Sequence, residues 1–186
     1  MKNRIKKIVT TLEGLYLLQR SPIEDQRGYF ERMYCAEELR DIIEHRSIVQ
    51  INHTQTETAG TVRGMHFQKK PHAELKIVSC LIGEVFDVAI DLRKGSPSFL
   101  HWHAERLSSV NHRSLIIPEG FAHGFQSLTD YSEIIYFVTS DYFPDAEEGV
   151  HPQDPLINIC WPLQVRNLSP RDQILPFLNE QFHGLS

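Results

Sequence analysis

The densest concentration of reactive side chains lies at residues 60–80, GTVRGMHFQKKPHAELKIVSC, where Arg63, His66, His72, Glu74 and Lys76 lead into alternating apolar sequence. Ionisable groups at the mouth of a strand scaffold are how a rigid fold presents acid–base chemistry to a small molecule. A lone strand histidine is more often structural than catalytic; His66 is set apart by Lys76, His72 and Glu74 within one hairpin's reach. Strict extension would send Arg63 and His66 to opposite faces. If both serve one site, the chain must bend between them, and Gly64 permits that.

Four other stretches carry polar or ionisable side chains. LIIPEGFAHGFQSL sets His123 just after a Pro-Glu-Gly turn, and EIIYFVTSDYFP places Tyr136 mid-strand and Tyr142 beyond a turn. Apolar neighbours on both sides of Tyr136 imply a buried ring, whose phenol then needs a partner. LSPRDQ brings Asp172 to a position where an aspartate caps a helix or orients a histidine. In IVQINHTQT, Gln50, Asn52 and Thr54 share one face by the period of two, a row of neutral hydrogen-bonding groups suited to a polar ligand. A mononuclear metal site asks for three or four convergent donors. Here His66 is followed by Phe67 and Gln68, His72 falls on a loop, and His101-x-His103 lacks a carboxylate at ligand spacing, so no metal is expected.

The elements that must position these groups are nearly all strands. Short runs rich in β-branched and aromatic residues (ELKIVSCLI, EVFDVAIDL, HWHAERLSS, RSLIIPEG, HGFQSL, EIIYFVT and INICWP) are separated by turn signals such as GE, KGSPS and SVNH, the mark of a sandwich or barrel. Residues 8–18 read as edge strands broken at Gly14, and SPIEDQRGYFER reads as a hairpin bearing Arg27, Tyr29, Phe30 and Arg32. Residues 35–45, CAEELRDIIEH, put Leu39, Ile42 and Ile43 on one side at helical spacing, and a short carboxyl-terminal helix is expected over 172–182. With no repeat, linker or low-complexity tract, residues 1–186 read as one all-β domain.

Composition narrows the function. The chain has 186 residues, 41% apolar and 23% charged, with a formal charge of −5, which disfavours a generic binder of nucleic acid or anionic membrane. Three widely spaced cysteines without a C-x-x-C pair suit a reducing, cytoplasmic setting. The basic amino terminus is followed by an apolar run that Glu13 interrupts, and it reads as a first strand.

A histidine-bearing strand pair followed by P-x-G-x-x-H is similar to the two motifs of the cupin fold, the double-stranded β-helix. More specifically, DQRGYFER, Q-I-N, GTVRGMHFQ, HAELKIVSCLIGEVFDVAIDLRKGSPSF, IPEGFAHGF, E-x-x-Y, P-x-x-E-x-G, DP and WP, in that order, resemble the dTDP-4-dehydrorhamnose 3,5-epimerase family over nearly the whole chain. The resemblance implies a homodimer of cupin-type jelly-roll subunits acting on a nucleotide-diphosphate keto-sugar without metal or other cofactor. It implies His66 as base, Asp172 as its partner, Tyr136 as acid on the opposite face and Lys76 beside the keto oxygen. Arg63 and His123 fall on active-site positions, and Gln50, Asn52 and Arg27 on positions that hold the nucleotide diphosphate, some across the dimer. Two departures stand out: Asp141 replaces an aromatic that stacks on thymine in many members, leaving Tyr142 or the Tyr29-Phe30 pair for that role, and Arg32 stands where many carry glutamate. Other readings are a 3- or 5-epimerase of a related keto-sugar, a metal-dependent cupin enzyme and a non-catalytic carbohydrate-binding module.

Overall fold

Alternating apolar residues give strands one buried face each, and the chain disposes of these faces by stacking two antiparallel sheets. The computed structural model describes residues 3–186. The first sheet takes the order β1 (Ile5–Val9), β2 (Tyr16–Arg20), β10 (Arg113–Ile117), β7 (Lys76–Ile82), β12 (Ser132–Val138), β5 (Gln50–Thr56). The second runs β13 (Glu147–Gly149), β6 (Val62–Gln68), β11 (Phe121–Ser127), β8 (Glu84–Asp91), β9 (Trp102–Ser108). A small hairpin, β3 (Ile23–Asp25) with β4 (Gly28–Phe30), stands apart from both sheets. This is the expected jelly-roll sandwich. Its inner faces meet through Leu15, Leu17, Val78, Val85, Ala89, Leu115, Ile117, Phe121, Phe125 and Ile134. Burying an aliphatic or aromatic side chain of this size is worth about 1.5–3 kcal/mol, so this layer dominates cohesion.

Both sheets are also covered from outside, which explains why several strands read as continuous apolar runs. Residues 33–48 lay Leu39, Ile42 and Ile43 over Leu18, Ile77, Ile116 and Phe137 on the first sheet. Within this cover only Arg40–Ile43 forms a helix, α1, the residues before it being turns; the expected 35–45 helix is shorter, with its buried face as expected. On the second sheet, the carboxyl-terminal tail packs Ile157, Ile159, Trp161, Leu178 and Phe182 against Met65, Phe67, Val88 and Ile90.

That tail departs from expectation twice. Residues 157–162, INICWP, read as a strand, but lie as irregular chain whose apolar residues cap the sheet instead of joining it. The helix expected over 172–182 is a single 3-10 turn, Asp172–Ile174. Pro176 accounts for the stop: it offers no N–H, and it disfavours helical geometry at Leu175, which is extended at φ −57°, ψ 142°. The hairpin forms where expected, yet Tyr29 and Phe30 remain 58% and 68% exposed in the subunit rather than packed.

One irregularity is placed where the site needs it. His123 pairs with His66 and Phe125 with Arg63, so three steps along β6 span two along β11. The extra residue is a bulge that restores Arg63 and His66 to one face. Gly64 makes it possible: its φ is +129°, and a Cβ there would come within 2.5 Å of the Gly124 Cα.

Candidate active site

Strand parity decides which side chains point between the sheets. On β12, Tyr136 shares the inward parity of Ile134, and its cross-strand neighbours are Asn52 on β5 and Val78 on β7. Lys76 pairs with Val138 and Gln50 with the same residue from the other side, so Lys76, Tyr136, Gln50 and Asn52 form one wall. On the second sheet, His123 shares the parity of Phe121 and Phe125, and His66 lies opposite His123. At one end the space between the walls is filled with apolar side chains. At the other it opens into a cavity of about 850 Å³ lined by Gln50, Asn52, Arg63, His66, Lys76, His123, Tyr136, Tyr142 and Asp172. Nine of the eleven residues named from sequence therefore meet in one cavity. The other two, Arg27 and Phe30, lie on the β3–β4 hairpin outside it; the Arg27 side chain is 84% exposed and paired with Asp25.

The arrangement of charge is pairwise. His66 Nε2 lies 2.7 Å from Asp172 Oδ1, although 106 positions separate the two residues. An ionised carboxylate only accepts, so the imidazole donates from Nε2 and Nδ1 is left as the basic nitrogen. Asp172 is almost fully buried, and burial by itself raises a carboxyl pKa; the bond from His66, its charge, the Gly64 N–H and Ser169 together reverse this and hold Asp172 below its ordinary value. The Gly64 N–H donates to Oδ2 at 3.4 Å, and the Ser169 hydroxyl accepts the Asp172 N–H at 3.0 Å, so the residues that bend β6 and start the 3-10 turn also fix the carboxylate.

Several partners were not foreseen. His123 Nε2 lies 2.9 Å from Asp87 Oδ2, a second histidine–carboxylate pair whose aspartate is completely buried. The available signal was a carboxylate at a core position in EVFDVAIDL. Lys76 Nζ is 2.9 Å from Glu74 Oε1, both side chains largely buried, so Glu74 neutralises the lysine. At the outer rim Arg171 pairs with Glu147 at 2.7 Å beside Tyr142. Hydrogen bonding to Glu147, then burial, raises the Tyr142 pKa. Burial would raise Glu147 as well, but Arg171, Tyr142 and the nearby His66 outweigh it and lower its pKa. Arg171 is next to Asp172 in sequence, and Glu147 is the acidic residue of P-x-x-E-x-G. Arg63 donates to Thr56 Oγ1 at 3.2 Å and to the Gln55 carbonyl at 3.1 Å, keeping its guanidinium at the cavity edge. Among the described residues no group of three or more His, Cys, Asp or Glu side chains is placed to hold a metal ion, and no helix is long and apolar enough to cross a membrane.

A base on one wall, a phenol on the facing wall and an ammonium beside the phenol can remove a proton from one face of a carbon acid and return one from the other. The family model described as dTDP-4-dehydrorhamnose 3,5-epimerase matches residues 9–180. The chain belongs to this family. The dTDP-4-dehydrorhamnose 3,5-epimerase of Salmonella typhimurium is 39% identical over 93% of this chain and 95% of its own length. The dTDP-4-dehydrorhamnose 3-epimerase of Streptomyces niveus is 36% identical, covering 87% of this chain and 78% of its own. Among solved structures, the crystal structure of dTDP-6-deoxy-D-glucose-3,5-epimerase from Legionella pneumophila, in complex with dTDP-4-keto-L-rhamnose, superposes with a TM-score of 0.90 at 37% identity, over 95% of this chain and 94% of that one. The epimerase family thus shares the sandwich that builds this cavity.

The lowered pKa of Asp172 has a consequence for stability. On acidification the unfolded chain binds that proton first, so the contribution of the pair is complete above the ordinary carboxylate value, about 4, and is lost as pH falls through the depressed folded value. Urea unfolding of wild type and Asp172→Asn should differ by roughly 1.5–3 kcal/mol at neutral pH. The gap should close below about pH 4; a gap independent of pH contradicts the assignment.

Proposed function

We propose that the protein epimerises C3 and C5 of dTDP-4-dehydro-6-deoxy-D-glucose to give dTDP-4-dehydro-L-rhamnose, as its family membership indicates, without metal or cofactor. The observation that carries the mechanism is the placement of His66 and Tyr136 on facing walls of one cavity, with Lys76 beside Tyr136. The C4 ketone acidifies the hydrogens on C3 and C5. His66 Nδ1 takes one of them, the C–H electron pair moves into the C–C bond, and the ketone becomes an enolate. Lys76 then supplies positive charge to the enolate oxygen. Tyr136 returns a proton from its phenol to the opposite face of the same carbon, which inverts it. The imidazolium and phenolate reset by exchange with solvent, so each inversion brings in a solvent hydrogen. Asp172 holds the histidine in its Nε2–H form throughout and offsets the charge that the imidazole gains. Gln50, Asn52, Arg63 and Arg171 hold the nucleotide diphosphate, His123 with Asp87 supports the sugar side, and Tyr142 packs on the base.

Arg27 and Phe30 are assigned to the cavity of a second subunit. Their exposure supports this reading, as do the exposed apolar residues Val49 and Ile51 at the β5 edge. Free Cys35, Cys80 and Cys160 are in keeping with a cytoplasmic location.

A second reading, inversion at C3 alone, is favoured by the relationship to a named 3-epimerase and is separated by counting. In heavy water with a chelator present, dTDP-4-dehydro-6-deoxy-D-glucose should gain two deuterons; one deuteron, at C3, identifies a 3-epimerase, one at C5 a 5-epimerase, and none contradicts the function. His66→Ala should reduce exchange at least 100-fold, and Tyr136→Phe should impair inversion more than exchange. For the homodimer, Arg27→Ala and His66→Ala, each poorly active alone, should regain turnover when their subunits are mixed and reassociated, because one of the two shared sites is then intact. Sedimentation of the wild type as a monomer, or mixing without recovery, contradicts it.

A further inference from the structure

Gln68 is the last residue of β6 and is 5% exposed, and none of the chemistry above uses it. Its carboxamide lies where three chain segments meet. Nε2 is 3.1 Å from the His72 carbonyl, 3.1 Å from Glu74 Oε2 and 3.1 Å from the Asp141 carbonyl. Oε1 accepts the Phe143 N–H at 2.7 Å. All three neighbours of the nitrogen are pure acceptors, which share its two N–H groups, and the neighbour of the oxygen is a donor, so one orientation of the amide suits the site and its flip satisfies none of the contacts. Two of these contacts go to the segment ending in Glu74, the partner of Lys76. The other two flank Tyr142 on either side. The two segments touch independently as well: the Leu75 N–H donates to Thr139 Oγ1 at 2.9 Å, and the His72 and Phe143 rings stack at 3.6 Å.

We propose that Gln68 is a positioning residue which sets Lys76, through Glu74, and Tyr142, through the backbone on both sides of it, in one fixed relation. The inference rests on the assignment of Lys76 to the enolate and Tyr142 to the nucleotide. Its physical basis is that a glutamine amide alone among side chains of this size offers two donors and an acceptor in one rigid plane. Loops held only by their own backbones open at low free-energy cost. With Gln68 in place, the loop that meets the base and the loop that carries the cation's counter-ion cannot move independently. Binding at the nucleotide end thereby fixes the lysine at the sugar end, where a displacement near 1 Å costs roughly 100-fold in rate.

The test uses the full-length protein with Gln68→Glu and Gln68→Met, measuring the dissociation constant and stoichiometry for thymidine diphosphate and the rate of deuterium entry per titrated site. Gln68→Glu keeps the shape but turns a carboxylate oxygen toward two carbonyls and the Glu74 carboxylate. It should raise the dissociation constant roughly tenfold and lower kcat 10- to 100-fold. Gln68→Met removes the bonds without repulsion, should change both quantities in the same directions by less, and covers the case in which the carboxylate prevents folding. Values per titrated site within twofold of wild type for both quantities, or a loss confined to the number of titratable sites, overturn the proposal, since a purely structural residue lowers the folded fraction alone. A wild type that binds thymidine diphosphate but exchanges no deuterium refutes the epimerase reading instead, and the dissociation constants still decide whether Gln68 sets the Tyr142 loop.

Discussion

The hydrogen bond between His66 and Asp172 closes the structure and, in the proposed mechanism, sets the base. It joins the middle of the chain to its tail across 106 positions, so it exists only if everything between has folded. The entropic penalty for closing so long a loop is met by the tail's own packing, chiefly Ile157, Trp161, Leu178 and Phe182 on the outer face of the second sheet. That tail pairs with the rest of the chain at isolated bridges, Arg166 with Thr61 and Leu185 with Arg93, and side chains satisfy further backbone groups. The Asp154 carboxylate accepts the Leu156, Ile157 and Leu178 N–H groups, and the Trp161 indole donates to the Pro152 carbonyl at 2.8 Å. The apolar tail thus serves as the arm that delivers one carboxylate to one imidazole.

The sandwich supplies the second requirement, opposition. Period-two alternation guarantees that residues on facing inner surfaces look at each other across the gap between sheets, which is how His66 and Tyr136 come to flank one cavity. A fold with one working face would present both groups to the same side of a substrate. The bulge at Gly64 refines this by adding Arg63 to the histidine's own face. Each largely buried carboxylate around the cavity has a donor beside it: Asp172 with His66, Asp87 with His123, Glu74 with Lys76 and Glu147 with Arg171. Such pairing lets ionisable groups sit between sheets without the cost of an isolated buried charge.

Much of this was legible in the sequence because strands declare themselves by alternation. The inward row Gln50, Asn52, Thr54 and the buried triple Leu39, Ile42, Ile43 could be read from spacing alone, and the need for a bend at Gly64 followed from parity. The meeting of His66 and Asp172 could not, since no local pattern encodes a contact of that separation; only likeness to a family pointed to it. Asp87 was missed, and Glu74 was named without its pairing to Lys76, because the meaning of each lies in what it touches. The errors in the tail share one cause. INICWP alternates like a strand and 172–182 carries apolar residues at helical intervals, yet with Pro176 in the chain and a sheet face to cover, tertiary burial overrode local pattern. The hairpin with Arg27 and Phe30 could be placed as an element but not given a surface to meet.

The central claim is that Asp172 fixes His66 as the Nε2–H tautomer and leaves Nδ1 as the base. Nitrogen-15 NMR of the histidine-labelled protein at neutral pH measures it directly, with His66 assigned by comparison with His66→Gln. The account predicts a protonated, pyrrole-type shift for Nε2 and a pyridine-type shift for Nδ1, with the two tautomers mixing in Asp172→Asn. A His66 protonated at Nδ1 in the wild type, or a tautomer indifferent to Asp172, would contradict it.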